Sequence, residues 1–154
     1  MLNAVAPSPS LTIGGLVLTD LENLITLVGA TAAAGANTVL SFRLPNGTAG
    51  YTVPANKKFV AKAVKIWTRD ATVMFPILFY CDNDLGMGST TAPTNPVYMG
   101  GSSNATFTTV LTVGGNIELS QLNFEIPVGK YISLSDGAAG AGLSCLLYGY
   151  LQDV

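Results

Sequence analysis

Short segments in which apolar and polar residues alternate recur along most of this chain, with turn-forming residues between them. Such alternation is typical of β-strands with one buried face, and no long helical periodicity competes with it. Eight to ten strands at this spacing predict a single all-β domain, an antiparallel β-sandwich or barrel. The predicted strands cover residues 39–43, 48–53, 58–69, 73–80, 97–99, 106–113, 116–125, 130–135 and 143–151.

One small pattern occurs twice, in residues 51–57 and again in residues 124–130. Each copy has an aromatic residue, an alternating approach to a proline, and a turn that ends in lysine. Pro54 and Pro127 fix the backbone φ angle and lack the N–H that a sheet ladder needs, so they belong at corners. The repeat therefore predicts two equivalent bends, at each of which one strand ends and the next begins.

Residues 24–31 fit two structures. Thr19 and Glu22 have the spacing of a capping box, and the apolar residues that follow would then form one stripe of a helix. The competing interpretation is a strand, which Ile25 and Val28 favour because branched side chains suit a pleated surface. We favour the strand, since the rest of the chain is rich in β patterns.

The amino-terminal residues 1–18 are predicted to form an extended arm outside a domain of residues 19–154. Prolines and a Gly-Gly pair interrupt this segment, and its apolar residues are unfavourable in water at about 25 cal/mol per Å². We therefore expect the arm to lie on a neighbouring surface. Its candidate partner-binding residues are Leu11, Ile13, Leu16 and Val17.

Charged residues make up 10% of the chain, whereas about 25% is usual in a globular protein. The net charge is −2, so a surface built mainly from Thr, Ser, Asn, Gly and Ala has little self-repulsion to oppose association. The composition predicts a chain that packs against copies of itself or against another protein. Neither a basic face for nucleic acid nor an apolar stretch long enough for a membrane is found, and the first residues do not resemble a secretory signal.

The chain contains no histidine, which removes the commonest general base near neutral pH and the commonest ligand of transition metals. Cys81 and Cys145 are too few for a zinc site of four thiolates. They lie in apolar runs, which favours buried free thiols, and a single bridge between them is the alternative. No catalytic residue and no cofactor are predicted, and we do not expect an enzyme.

Five of the seven basic residues fall between positions 57 and 69. One interpretation is an electrostatic patch for phosphate or an acidic partner, beside Trp67. The favoured one is an exposed strand whose lysines protect a sheet edge from wrong pairing. Because side chains alternate along a strand, a β-bulge is required if all these charges are to face outward. The five residues are Lys57, Lys58, Lys62, Lys65 and Arg69.

Asp82 and Asp84 are the only candidate metal ligands. With Gly86 they resemble the opening of a calcium-binding loop, but the closing glutamate is missing, and an Asx-rich turn explains them equally well. Paired catalytic carboxylates are disfavoured as well. Glu118 and Glu125 are an odd number of positions apart on one predicted strand, hence on opposite faces unless a bulge intervenes.

The stretches from Phe42 to Phe59 and from Phe124 to Tyr131 resemble strands of the small jelly-roll proteins in tailed-bacteriophage particles. The relatives in question are capsid decoration (cement) proteins and tail-fibre or spike modules, and the resemblance covers roughly residues 40–150. It implies a jelly-roll β-sandwich that forms a homotrimer on the capsid surface of a virion. It further implies binding to the major capsid protein or another virion protein, and assembly in the host cytoplasm.

On this interpretation Lys57, Lys58 and Lys130 are candidate shell contacts. The alternative function is a receptor- or carbohydrate-binding module of a tail fibre or spike, in which the loop of residues 82–103, with Tyr80, Tyr98 and Trp67, supplies aromatic platforms and short polar donors. The positions of the aromatic residues distinguish the two. Clustering on one exposed loop face favours ligand binding, and dispersal through the core favours cement.

Overall fold

The computed structural model describes residues 10–13, 16–19, 24–30, 39–68, 77–87, 90–98, 116–119, 122–135 and 143–154. Within these ranges every regular element is a β-strand. None of them contains a helix long and apolar enough to cross a membrane. The strands are β1 (Ser10–Ile13), β2 (Leu16–Thr19), β3 (Leu24–Ala30), β4 (Val39–Ser41), β5 (Lys57–Thr68), β6 (Ile77–Cys81), β7 (Val97–Tyr98), β8 (Asn116–Leu119), β9 (Phe124–Ile126), β10 (Tyr131–Ser135) and β11 (Leu143–Asp153).

Two antiparallel sheets form the body of the protein. The large sheet has the order β3-β11-β5-β8, with β9 also paired to β5, and the small sheet has the order β4-β10-β6-β7. Because β8 and β9 pair with successive parts of β5, they act as one interrupted strand. The body can then be counted as eight strands, with β3 as the first, β8 and β9 together as the sixth, and β11 as the eighth. In this count the large sheet has the strand order 1-8-3-6 and the small sheet has the order 2-7-4-5. This is the strand order of a jelly roll, so the predicted jelly-roll-like sandwich is confirmed.

The core lies between the two sheets and takes alternate residues from the strands of each. Burying an aliphatic or aromatic side chain of this size contributes about 1.5–3 kcal/mol relative to exposure. One edge of the sandwich is also closed by main-chain hydrogen bonds, because Val28 of β3 exchanges N–H···O bonds of 2.8 and 3.0 Å with Arg43. The fully buried residues include Leu27, Phe59, Ile66 and Leu147 from the large sheet and Leu40, Leu78, Ile132 and Leu134 from the small sheet.

The strand interpretation of residues 24–31 is confirmed, since β3 pairs with β11 from Leu24 to Ala30. Two other strands differ from the pattern. Residues 48–53 make only an isolated bridge, between Thr52 and Tyr131, and residues 116–125 form two short strands instead of one. The strand predicted at 106–113 and the beginning of the one at 73–80 lie outside the described residues.

The amino-terminal segment contains a β-hairpin. β1 and β2 pair with each other in a two-stranded sheet of their own, with Leu11 opposite Leu18 and Ile13 opposite Leu16. The arm predicted as extended over residues 1–18 is therefore folded back on itself between residues 10 and 19. The domain boundary after residue 18 stays a prediction.

A second, smaller apolar cluster lies on the outer side of the small sheet. Its buried members are Val39, Phe79, Cys81 and Leu85, and Tyr98 packs against them. Cys145 is buried in the main core instead, and both cysteines are free thiols. The favoured interpretation of the cysteines is therefore confirmed.

Candidate functional site

The two Pro-to-Lys corners lie against each other. The N–H of Val53, at the first corner, donates to the carbonyl oxygen of Lys130 at the second (3.1 Å), and the N–H of Gly129 donates to the carbonyl oxygen of Val53 (2.9 Å). Two segments more than seventy residues apart in the sequence thus form one main-chain junction. The sequence repeat predicts the bends but contains no signal that they meet.

The corners also share one turn geometry. In each, the lysine N–H donates to the proline carbonyl oxygen, at 3.3 and 3.4 Å. The residue before the lysine has positive φ, 60° at Asn56 and 74° at Gly129, as a type II turn requires. The turn at Asn46 and Gly47 differs from both corners, because neither residue has positive φ; there the Gly47 N–H donates to the Leu44 carbonyl oxygen at 2.8 Å.

Each candidate shell-contact lysine already has a carboxylate partner within the chain. Lys130 pairs with Asp82, which raises the lysine pKa and lowers that of the aspartate, in each case chiefly through their hydrogen bond. These pairs leave little uncompensated charge on the described surface of the domain. The four ion pairs among the described residues are Lys57–Asp153, Lys58–Glu125, Lys65–Glu118 and Lys130–Asp82.

The lysine-rich strand β5 is not a sheet edge. It lies between β11 on one side and β8 and β9 on the other, so the interpretation of its lysines as edge protection is wrong. The predicted bulge is confirmed: the register with β11 shifts where Tyr148 pairs with Ala63 and Gly149 with Ala61, which leaves Lys62 without an opposite residue. The extra residue lets Lys58 and Lys65 share one face although they are seven positions apart.

Glu118 and Glu125 do not lie on one strand, contrary to the prediction. They occupy β8 and β9, and both bind lysines of β5, Lys65 and Lys58 respectively. The hydrogen bond that the Lys65 ammonium donates to Glu118 raises the pKa of the lysine. Both glutamates are therefore on the outer face of the large sheet, where each is paired with a cation.

The two candidate calcium ligands are occupied by donors from the protein. Asp82 accepts hydrogen bonds from the Lys130 ammonium and from Asn95 Nδ2, the latter at 2.7 Å. Asp84 accepts from the main-chain N–H groups of Gly50 and Gly86, each at 2.8 Å. No group of three acidic or thiol side chains suited to a metal occurs in the part of the chain that the structure describes.

The pKa of Asp84 reflects two opposing effects. Partial burial raises it, but hydrogen bonds from Gly86, Gly50 and Ser41 outweigh the burial and hold the carboxyl pKa below its usual value. These bonds tie the loop after β6 to the turn that follows β4. The Asx-turn interpretation therefore describes Asp84 better than a metal site does.

A cleft of about 420 Å³ opens on the outer side of the small sheet. Val39, Ile77 and Phe79 form its sheet side, and the ring of Tyr98 lies 5.5 Å from that of Phe79. Tyr98 and the loop of residues 82–103 were predicted as a possible binding surface, but the short residues 90–93 carry no pattern that predicts a cleft there. The loop residues that line the cleft are Thr90, Thr91, Ala92 and Pro93, and Ser135 completes the lining.

The described aromatic residues are mostly dispersed through the fold. Phe42, Phe59 and Phe79 are fully buried, and Tyr80 stacks on Phe124 beside the main core. Tyr98, which lies in β7 and pairs with Phe79 of β6, is the described aromatic residue of segment 82–98 that reaches the cleft. By the criterion stated above, this distribution favours a structural role over an aromatic binding platform for the domain as a whole.

The outer face of the large sheet is apolar along β11. Leu146, Tyr148 and Tyr150 alternate there with core-facing residues and are each partly buried. The Lys62 ammonium lies 5.9 Å from the centre of the Tyr150 ring, within the range of a cation–π contact. This face combines aromatic and aliphatic side chains with three lysines. Lys58 and Lys65 pair with glutamates, and Lys62 donates to the neutral Asn123 Oδ1.

Comparison of this chain with protein-family models, with curated proteins and with solved structures finds no match, so the fold and the surfaces described above carry the functional argument.

Proposed function

We propose that this protein is a structural component of a virus particle, a capsid decoration (cement) protein that associates with its own copies and with the shell. The amino-terminal hairpin is the observation that carries the proposal. A two-stranded hairpin alone is marginally stable in water. This one is hydrogen-bonded to neither sheet of the sandwich, so a surface that covered it would stabilise it.

The pairing of the hairpin separates its residues into an apolar and a mostly polar face. Register partners share a face, and residues two apart along a strand share that face as well. One face therefore carries four aliphatic residues, and the other carries three hydroxyl residues and a valine. The apolar set is Leu11, Ile13, Leu16 and Leu18, and the other set is Ser10, Thr12, Val17 and Thr19.

The body of the domain supports the same role. A jelly roll is a rigid scaffold, and its charges are sparse and largely paired within the chain. A surface of this kind has little electrostatic repulsion to prevent close packing of copies. Stable obligate oligomers bury about 2,000 Å² or more. In the proposed homotrimer, many weakly polar contacts across the joints between capsomers resist outward pressure.

The test compares two double variants of the hairpin with the unmodified chain. Leu11→Asn with Ile13→Asn changes the aliphatic face, and Ser10→Asn with Thr12→Asn is the matched control on the other face. Sedimentation velocity measures the oligomeric state, and cosedimentation with emptied capsids of the parent virus measures shell binding. We expect saturable binding by the unmodified chain and the control, and at least tenfold weaker binding by the first variant.

A full-length chain that stays monomeric and does not sediment with any shell would overturn the proposal. Equal shell binding by both hairpin variants would show that the aliphatic face of the hairpin does not contribute to shell binding. Circular dichroism of each variant verifies that the β-sandwich is intact, so that lost binding is not the result of unfolding.

A further inference from the structure

The outer face of the large sheet is more apolar than a solvent-facing sheet surface usually is. In β3 and β11 the residues that alternate with the core residues are themselves mostly aliphatic or aromatic, and they are partly buried in the single chain. Strands covered on both faces have near-continuous apolar sequences, whereas one solvated face gives a clean alternation. The small sheet covers one face of β3 and β11, so their composition indicates a partner for the other. The outward apolar residues are Leu24, Val28, Leu146, Tyr148 and Tyr150.

Trp67 of β5 belongs to the same face. It is the register partner of Ser144 in β11, while the preceding residue, Ile66, is fully buried in the main core on the opposite side. Trp67 itself is only partly buried. Tryptophan and tyrosine are enriched in contact surfaces between proteins, where they account for much of the binding energy. The aromatic residues of this face are therefore of the kind that a protein partner covers.

The face is large enough for a stable contact. β11 has 11 residues, which span about 37 Å, and the four strands that lie side by side span about 19 Å. A contact over this face would cover roughly 700 Å² on each partner, or about 1,400 Å² in total, and specific interfaces bury about 1,200–2,000 Å².

Two cations of this face have no carboxylate partner among the described residues. Lys62 donates to the neutral Asn123 instead. Arg43, which is bridged to Val28 at the edge of the face, belongs to none of the four ion pairs among the described residues. Its Nε is also buried without a hydrogen-bond partner. A carboxylate brought by a neighbouring molecule would compensate the charge of this guanidinium.

The distribution of charge favours a neighbour of the same sequence. The face and its margin carry four basic side chains and two acidic ones, an excess of two positive charges, whereas the whole chain has a net charge of −2. The remainder of the chain therefore carries −4. Two copies joined by the same face would bring like charges together, whereas a copy that presents another part of its surface brings opposite charges. Contacts between unlike surfaces of identical chains can close into rings such as trimers.

We propose that a second copy of this chain covers the outer face of the large sheet. Leu146 and Tyr148 lie at the centre of the contact, Trp67 lies beside them, and Arg43 at the margin pairs with a carboxylate of the neighbour. The inference rests on the proposed function and divides it between two surfaces. This face joins the copies to one another, and the aliphatic face of the hairpin joins them to the shell.

The test uses the fluorescence of Trp67, the only tryptophan of the chain. Sedimentation velocity over a dilution series gives the oligomeric state, and acrylamide quenching at the same concentrations gives the accessibility of Trp67. We expect a trimer in which quenching is at least twofold weaker than in the diluted monomer. Leu146→Glu should weaken association at least tenfold. Val128→Glu, at an apolar residue of the second corner that is 47% exposed, is the matched control and should leave association unchanged.

Tyr148→Ser is a milder change on the same face and adds no charge; it should weaken association severalfold, with circular dichroism as the check on folding. The inference is overturned if Trp67 is quenched as readily in the trimer as in the monomer, or if Leu146→Glu associates as tightly as Val128→Glu. A chain that is monomeric alone, and whose Trp67 is shielded only when emptied capsids are added, also overturns it, because the shell then covers the face. Trimers with shielded Trp67 that sediment with no shell would support the inference and count against the shell role alone.

Discussion

The main-chain N–H of Gly50 donates a 2.8 Å hydrogen bond to the Asp84 carboxylate, which joins two loops that are 34 residues apart in the sequence. A second bond reaches the same carboxylate from Gly86. An asparagine at position 84 retains one acceptor oxygen and loses the other together with the charge. We expect Asp84→Asn to lower the free energy of unfolding by about 1 kcal/mol at neutral pH, measured by urea unfolding with the fluorescence of Trp67.

The same variant predicts a pH dependence. The folded-state pKa of Asp84 is depressed, so its contribution is complete above the unfolded pKa of about 3.9 and is lost as pH falls through the folded value. The difference between the unmodified chain and Asp84→Asn should be constant from about pH 5 to pH 7 and shrink at lower pH. Asp82 titrates in both proteins, so its contribution cancels in the difference between them. If the difference in free energy of unfolding between the two proteins grew as the pH fell, it would contradict the lowered pKa of Asp84.

Gly149 lies at the β5 bulge, where a side chain has no room. An added Cβ would meet the carbonyl oxygen of Val60 and lie 2.6 Å from Phe59 Cε1. The main-chain oxygen cannot rotate away, so Gly149→Ala should destabilise the protein by about 2–3 kcal/mol. Gly47→Ala is the control, because its Cβ would come no closer than 3.3 Å to any atom. If the two variants had equal midpoints of thermal unfolding, the backbone at the bulge would have to move enough to accommodate the added Cβ.

Backbone conformation alone should decide the effect of changes at the second corner. Gly129 has φ of 74°, and no atom lies within 4 Å of an added Cβ. Gly129→Ala should therefore cost about 1 kcal/mol through strain, and Gly129→Asn should cost less because asparagine tolerates positive φ. At the first corner Asn56→Gly should be neutral or stabilising. Urea unfolding of the three variants checks the order, and a larger loss for asparagine than for alanine would contradict it.

Both cysteines should be unreactive in the folded protein. Burial raises the pKa of Cys81 and of Cys145, so neither thiol forms the nucleophilic thiolate readily. Labelling with iodoacetamide should be negligible in native buffer and complete at two sites in urea, as measured by mass spectrometry. Rapid native labelling of Cys145, which lies in the main core, would show that the sandwich opens locally.

Alternation of side chains predicted most of the strands, because half-buried strands impose it directly on the sequence. The lysine spacing on β5 also required a bulge if all its charges were to face outward, since positions 58 and 65 cannot otherwise share a face. Its position at Lys62 was not predicted. The position of β5 inside its sheet was not predicted. Lysines that protect an edge and lysines that pair with acids on a neighbouring strand leave the same pattern in one strand.

The functional surfaces depended on contacts that a single sequence does not display. Asp84 resembled a metal ligand because the sequence does not display its hydrogen-bond donors. These donors are main-chain N–H groups, and one of them, that of Gly50, lies 34 positions away. The cleft was missed because residues 90–93 are ordinary loop residues until the fold places them beside the small sheet and Tyr98. The pairing of β1 with β2 was not predicted, because the prolines and glycines of residues 1–18 favoured an extended chain.

Strand β11 follows every other strand in the sequence, yet it lies between β3 and β5 in the large sheet. Neither neighbour has its full set of hydrogen bonds until β11 is in place, so the large sheet cannot form strand by strand in sequence order. Pairing between such distant segments makes folding slow compared with that of helical domains. Until β11 pairs, β3 and β5 each have an open edge, and a chain with so little charge is most exposed to aggregation during that interval.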